Sequence, residues 1–275
     1  MIIVPKRFNY AEAYLTLRCN FGCEYCINNS SGVKRNREEL TGQKWIDLLN
    51  DIDFGELSLT LGGGEPTMHP DFFKILQGLR KDIPIDLLTN LSFDVDEFIA
   101  LTNPDRFTQS KIPFYHPIRI SYHPGKSNRE DLVLKAKKLQ KAGFNLAIFA
   151  INHPHNINKN MAMANLATRN GIFNYTKDFL GEVDGRMYGH FKYPEGVNNK
   201  LKCCSCRTKE LLIDPEGKFY RCHRDLYKAE NPIDEIEDIF RPCVNYGDCN
   251  LCDVKLKSNK FLDDIDCQVE IQCLE

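Results

Sequence analysis

Apolar positions recur along residues 10–180 in two alternating rhythms. Short apolar runs, "AYLTL" (13–17), "ELSLTL" (56–61), "IDLLTN" (85–90), "IRISYH" (118–123) and "NLAIFAIN" (145–152), read as buried strands, with "IFNYTKDF" (172–179) a weaker sixth. Between them, "GQKWIDLLNDI", "DFFKILQGLRK", "DVDEFIALT", "REDLVLKAKKLQKAG" and "NKNMAMANLATRNG" space their apolar residues three and four apart, as helices laid on a sheet do. Gly143 and Gly171 stand where helix C-terminal glycines belong. Repeated strand-helix units imply parallel strands joined by right-handed crossovers, hence an α/β class. Five or six units fit before residue 180, which predicts a partial barrel rather than a closed one.

In such folds the reactive groups gather at the C-terminal ends of the strands. The sequence puts its polar oddities there. "CNFGCEYC" (19–26) follows the first strand and "GGGEP" (62–66) the second, and Thr89-Asn90 ends the third. Ser121, Tyr122 and His123 close the fourth and Asn152 the fifth, so a single mouth is expected.

Composition narrows the class. With 275 residues, 42% of them hydrophobic, the chain can bury a large core, and a formal charge of −2 gives no electrostatic footprint for nucleic acid or an anionic membrane surface. No apolar run approaches the roughly 18 residues of a membrane span, and "MIIVPKRFNY" lacks the apolar core and cleavage site of a signal peptide. A cytoplasmic protein is expected.

Twelve cysteines in a reducing compartment call for chemistry other than disulfides. Cys19, Cys23 and Cys26 open the series, the next 176 residues hold none, and nine more fall within 203–273. Three thiolates are one short of the usual four around zinc or a cubane cluster. His69, the first histidine along the chain, lies too far on to complete a zinc site.

The C-x3-C-x2-C spacing with Tyr25 before the last cysteine, joined to Gly63-Gly64-Glu65-Pro66 at the end of the second strand, resembles the radical S-adenosylmethionine (SAM) superfamily. The resemblance covers roughly residues 10–180 and implies a partial (β/α)6 TIM-like barrel, with a domain boundary set at 8–180. It implies that Cys19, Cys23 and Cys26 ligate three irons of a [4Fe-4S] cluster and that SAM takes the fourth. Gly63, Gly64, Glu65 and Pro66 would supply backbone contacts to the methionine amine, with glycine needed for close approach. Tyr25 would lie near the adenine, and Ser121 and Asn152 would contact the ribose and carboxylate. The implied activity is reductive cleavage of SAM to a 5'-deoxyadenosyl radical that abstracts hydrogen from a small-molecule or peptide substrate, with flavodoxin or ferredoxin as reductant. Read without the resemblance, "GGGEP" is a tight turn, and Ser121 and His123 are a satisfied strand end.

The back of the chain carries its own pattern. From Cys206, ten residues lead to Gly217 and four more to Cys222, with "ELLID" and "KFYRC" reading as a hairpin about Pro215-Glu216-Gly217. This resembles the SPASM and twitch extensions of radical SAM enzymes, which implies a small cysteine-rich α+β domain at 201–275 holding one or two auxiliary [4Fe-4S] clusters. Cys203, Cys206, Cys222, Cys243, Cys249, Cys252, Cys267 and Cys273 are the candidate ligands, and the order of Cys243, Cys249 and Cys252 departs from the full SPASM spacing. Cys203 and Cys206 are expected to pair, leaving Cys204 spare. A free Cys204 could return a hydrogen atom, which would make the enzyme an epimerase. The C-x2-C spacings also suit a tetrathiolate zinc, and a zinc-stabilised binding module is the alternative class. Residues 181–200, with Arg186, Tyr188, His190 and Tyr193, read as a linker or a substrate lid, and Lys34, Arg35 and Arg37 as a solvated basic loop or an anion contact.

Overall fold

Strands adjacent in sequence are adjacent in space. The computed structural model describes residues 1–29, 32–107, 115–258 and 265–273. In it β1 (Tyr10–Thr16), β2 (Leu59–Gly63), β3 (Ile85–Thr89), β4 (Ile118–Tyr122), β5 (Leu146–Asn152) and β6 (Phe173–Asp178) pair in parallel, in that order. The connections carry α1 (Gly42–Asn50), α2 (Phe72–Gly78), α3 (Val95–Leu101), α4 (Arg129–Lys141) and α5 (Ile157–Arg169). Thr41, Asp94 and Asn128 start three of them by accepting first-turn N–H groups with their side chains. Each helix packs on the next, so all five cover one face of a sheet wound in a single direction. β6 is an edge, and the barrel is open, as the strand count predicted.

Alternation along the strands separates two faces. Ala11, Ala13, Leu15, Leu59, Leu61, Ile85, Leu87, Ile118 and Ile120 join Trp45, Leu49, Ile75, Phe98 and Leu139 in the core beneath the helices. The positions between them turn inward and are polar: Glu12, Thr60 and Asp86 are buried, and Arg119 reaches Thr60 Oγ1 at 3.2 Å and Asp86 Oδ2 at 3.4 Å. Tyr10 donates to Glu12 Oε2 at 2.6 Å, and Tyr115 donates to the Asp86 carboxylate. The lumen is therefore a polar, charged interior in which Arg119 faces Asp86 and tyrosine hydroxyls donate to both carboxylates.

The later segments extend this sheet. β7 (Lys202–Thr208) lies between β10 (Arg241–Tyr246) and β11 (Val269–Cys273) in a separate antiparallel sheet. The expected hairpin forms from β8 (Glu210–Ile213) and β9 (Phe219–Tyr220), with Asp214 Oδ1 accepting the amides of Glu216 and Lys218 across the turn. β8 also pairs in parallel with β1, Leu211 opposite Ala11, so sheet pairing crosses the boundary expected at 201. Behind the hairpin, α6 (His223–Lys228) packs Leu226 and Tyr227 against Tyr14, Leu212 and Tyr220 on the inner face, and α7 (Leu251–Val254) follows.

The basic stretch after the cysteine loop is exposed at Lys34 and Arg35, as a solvated loop would be, but is pinned down at Arg37. The Arg37 side chain is 3% exposed, and it donates to Asp214 Oδ2 at 2.9 Å and to the carbonyls of Leu226 and Tyr227. Arg35 donates to the Asn28 carbonyl at 2.8 Å, and the Lys34 amide to Tyr227 O at 2.9 Å. Removing either partner of the Arg37–Asp214 pair strands a buried charge, which costs about 3–5 kcal/mol. Arg37 is therefore not presented to an external anion.

Candidate active site

The loop leaving β1 carries the first three thiols. Cys23 is buried and Cys19 and Cys26 are half-buried, and the Cys26 amide donates to Cys23 O at 3.1 Å, folding the loop so that the last two cysteines are close. The Phe21 amide points at Cys19 Sγ from 3.4 Å. Burial pushes the Cys23 thiol up to about 11, with Cys26 and Cys19 adding to the rise, and burial likewise raises Cys19. These thiols lie within one another's fields in a site that disfavours free thiolates. Bound cations would reverse that preference, so the donor set suits a soft metal group. His69 contributes nothing here: its Nε2 contacts Leu40 O at 2.9 Å and its Nδ1 accepts the Asp71 amide at 3.1 Å.

The glycine turn abuts this loop through backbone. The Gly64 amide donates to Thr16 O at 2.9 Å and the Glu65 amide to Arg18 O at 2.8 Å. A Cβ on Gly64 would sit 2.1 Å from Arg18 O, and one on Gly63, whose φ is +130°, 2.1 Å from Thr16 O. Glycine is required because the backbone of β1 and the residues just after it comes this close, a reason that holds with or without a ligand at the turn. Glu65 is 1% exposed and faces inward. Its Oε1 accepts from the hydroxyls of Thr67 at 2.7 Å and Thr89 at 2.8 Å, and its Oε2 from the Asn90 amide at 2.7 Å. The carboxylate ties β2 to the end of β3, and Asn90 Nδ2 reaches on to Asn20 Oδ1 at 2.8 Å. An amine donates hydrogen bonds, so this turn offers it carbonyl oxygens; Gly63 O already takes Asn28 Nδ2 at 3.1 Å.

Across the mouth runs a row of rings. Tyr25 OH contacts His123 Nδ1 at 3.0 Å and the two rings stack at 6.0 Å; Phe21 meets His123 edge-on at 5.8 Å. His153 lies 5.5 Å from Tyr25 and 4.6 Å from Phe179, which in turn lies 6.1 Å from Tyr188. His123, His153 and Phe179 each follow the last residue of β4, β5 and β6. The sequence reading favoured Ser121 and Asn152; Ser121 is half-buried on the inner side of β4 and Asn152 is exposed, while the next residues along make the ring contacts. The signal lay in the recurrence of a histidine or phenylalanine one step past each strand.

His123 is held neutral, with burial pulling it down to about 4. The unfolded chain, titrating near 6.5, takes up its proton first as pH falls, so stability is expected to decline between pH 6.5 and about 4 by up to about 3 kcal/mol. Melting temperatures measured across this range should show the decline in the wild type and lose it in His123→Gln. An equal slope in the two proteins would remove the assignment.

The late cysteines divide into two groups. Cys204, Cys206, Cys222, Cys243 and Cys249 line one small cavity, partly open to solvent, together with Arg221, Asp225 and Asp253. Cys206 donates to the Cys243 sulfur, which holds Cys243 down at about 6, while the same bond and burial raise Cys206. Cys203 is exposed. The expected pairing of Cys203 with Cys206 is thus corrected to Cys204 with Cys206, because residues two apart share a strand face and residues three apart do not. Cys204 joins the other thiols and is not the spare. Cys252 faces Lys255 Nζ at 3.4 Å, Cys267 is buried with Sγ 3.1 Å from Asp253 O, and Cys273 is exposed at the end of β11. Among the described residues these three do not line the cavity.

Residues 181–200 begin as a hairpin, Gly181–Val183 against Arg186–Tyr188. Arg186 lies over the Tyr188 ring at 5.2 Å, and His190 Nδ1 meets Asp178 Oδ2 at 2.5 Å. Tyr193 OH accepts the Ile271 amide at 3.3 Å. The first part continues the ring row and the second packs on the cysteine-bearing region.

An open β/α barrel with a three-thiol loop and a glycine turn at its mouth defines a class of barrel that holds a metal-sulfur group above its strands. The model of the Radical SAM superfamily matches residues 14–180, more than half of the chain, and the protein belongs to that superfamily. A GTP 3',8-cyclase of Psychromonas ingrahamii is 29% identical over 75 residues, 27% of this chain and 22% of the cyclase. Mycofactocin maturase MftC of Mycobacterium ulcerans is 33% identical over 63 residues, 22% of this chain and 16% of the maturase. The matched stretches therefore span under a quarter of those relatives. Among solved structures, Streptococcus suis SuiB superposes with a TM-score of 0.54 at 15% identity, over 82% of this chain and 62% of SuiB. anSMEcpe with bound AdoMet does so with a TM-score of 0.53 at 15% identity, over 84% and 78%. These two share the fold. Among the described residues no helix is long and apolar enough to cross a membrane.

Proposed function

We infer that the protein is a radical SAM enzyme with one auxiliary iron-sulfur cluster, acting on a small-molecule or peptide substrate. The observation that carries this reading is the convergence of Cys19, Cys23 and Cys26 beside the Gly63–Glu65 turn, at the strand ends of a barrel of that superfamily. Three soft donors suit three irons of a [4Fe-4S] cluster and leave the fourth to SAM. Bound there, the pair would supply one-electron cleavage of SAM and, through it, hydrogen abstraction from substrate.

The chain's own residues would do the rest. Glu65 locks the glycine turn so that its carbonyls can accept from an amine, and the Tyr25–His123–His153 row offers flat neutral rings against which adenine can stack. The five-thiol cavity has one more sulfur than a cubane needs, which supports one auxiliary cluster rather than two. A reductant of the flavodoxin or ferredoxin type would supply the electron. A peptide substrate draws support from the SuiB fold, one structure of which is described as bound to precursor peptide SuiA.

Anaerobic reconstitution tests the reading. About eight iron and eight sulfide per chain are expected, four for each cluster. Replacing Cys206 and Cys243 together by alanine leaves three of the five thiols and should lose about four of each, while Cys203→Ala should keep them all. Zinc in place of iron, or no 5'-deoxyadenosine from SAM under dithionite, would overturn it in favour of a zinc-stabilised binding module.

A further inference from the structure

Between the inner face of the barrel and the cysteine-bearing region lie three buried groups that neither cluster needs. Glu210 on β8, His223 at the start of α6 and Asp253 on α7 bring one ligand atom each to within 4.8 Å of one another. His223 Nδ1 is 2.8 Å from Asp253 Oδ1 and 3.1 Å from Glu210 Oε1. Asp253 has other work: its Oδ1 accepts the His223 amide at 2.8 Å and its Oδ2 the Arg224 amide at 3.1 Å. Glu210 has no such tie: it is 0% exposed, and beyond the 3.1 Å approach of His223 Nδ1 neither of its carboxylate oxygens has a hydrogen-bond partner.

One imidazole facing two carboxylates leaves them short of positive charge, since even a protonated His223 brings one charge to two carboxylates. A single proton on Nδ1 serves Asp253 and leaves Glu210 a buried carboxylate without a donor, an arrangement costing several kcal/mol. The nearby cation, Lys255, turns its ammonium to Cys252 Sγ at 3.4 Å. A cation coordinated at about 2.0–2.2 Å by each donor places neighbouring donors roughly 3 Å apart or a little more; two of the separations here are 2.8 and 3.1 Å, and all three atoms lie within 4.8 Å of one another. One nitrogen and two carboxylate oxygens suit a divalent first-row transition ion, whereas calcium and magnesium favour oxygen alone.

We propose that Glu210, His223 and Asp253 form a separate mononuclear site for a divalent transition-metal ion, clamping β8 of the barrel sheet to α6 and α7. The site stands independently of the radical SAM reading. Its ligands adjoin Cys222 and Cys252, so the ion would fix the framework from which one wall of the five-thiol cavity is built.

Manganese is the probe, because it prefers nitrogen and oxygen donors to thiolates and so leaves the spare cysteines alone. Protein reconstituted with its clusters is loaded with Mn²⁺, desalted and assayed for metal. About one Mn²⁺ per chain is expected, with Glu210→Gln binding at least about tenfold more weakly at unchanged iron and sulfide. Pulsed electron paramagnetic resonance of the wild-type complex should show nitrogen coupling from one imidazole, which decides the matter even if the variant loses its fold. No retained Mn²⁺, no imidazole coupling, or equal binding by a folded Glu210→Gln would overturn the proposal.

Discussion

Cys23→Ala is expected to reduce 5'-deoxyadenosine formation from SAM to the level of protein without clusters, and to lower iron by about four per chain after reconstitution. Cys23 is the buried member of the front triad, and its sulfur lies in the fields of both others. Losing it leaves two donors for a group that needs three from the protein. Serine is a poorer choice of substitution, since an alkoxide can stand in for a thiolate, whereas alanine offers nothing. The auxiliary site should be untouched, because its cavity is lined by residues from 204 onward. Iron analysis would then show half the metal with no cleavage; cleavage surviving in Cys23→Ala would refute the front site.

Gly64→Ala is the second large effect. Its Cβ would meet Arg18 O at 2.1 Å, Arg18 C at 2.6 Å and Leu17 O at 2.7 Å. These are backbone atoms, and they cannot rotate aside as a side chain would. Ordinary overpacking costs about 1–3 kcal/mol; forcing β1 and β2 apart, with loss of the Gly64 and Glu65 amide bonds, should cost about 3 kcal/mol or more. Gly22→Ala is the control, since a Cβ there meets nothing within 4 Å and its φ is not positive. Chemical denaturation should show a large loss for Gly64→Ala and almost none for Gly22→Ala. Similar stability of the two variants would mean that glycine at 64 serves a ligand and not the strand contact.

Local pattern told most of the barrel. The six parallel strands and five helices fall where apolar periodicity placed them, because each pairs or packs with its neighbour in sequence. Pairings between distant segments left no such trace, and the parallel match of β8 with β1 could not be read from either strand alone. The polar lumen was hidden for a related reason: Thr60, Asp86 and Arg119 sit singly within apolar runs, and only the sheet shows that they face one another. At the site, the three front cysteines and the glycine turn were legible as a spacing. The roles inside that spacing were not, since Glu65 turned out to brace Thr89 and Asn90, and Arg37 to be sealed against Asp214. Cys203 and Cys204 exchanged roles because the register shifts between Lys202 and Cys204 and the pairing is regular only from Cys204 onward, where the alternation of faces puts Cys204 and Cys206 on one side.

The union of β8 with β1 bears on how the chain is made. Glu210 lies opposite Tyr10, 200 residues earlier in the sequence. At synthesis rates of about 5–20 residues per second, the outer edge of β1 waits roughly 10–40 s on the ribosome for its native neighbour. During that interval the half-built sheet has two open edges, β1 at one side and the newest strand at the other, each able to pair with another chain. The strand that opens the barrel is thus among the last to be sealed.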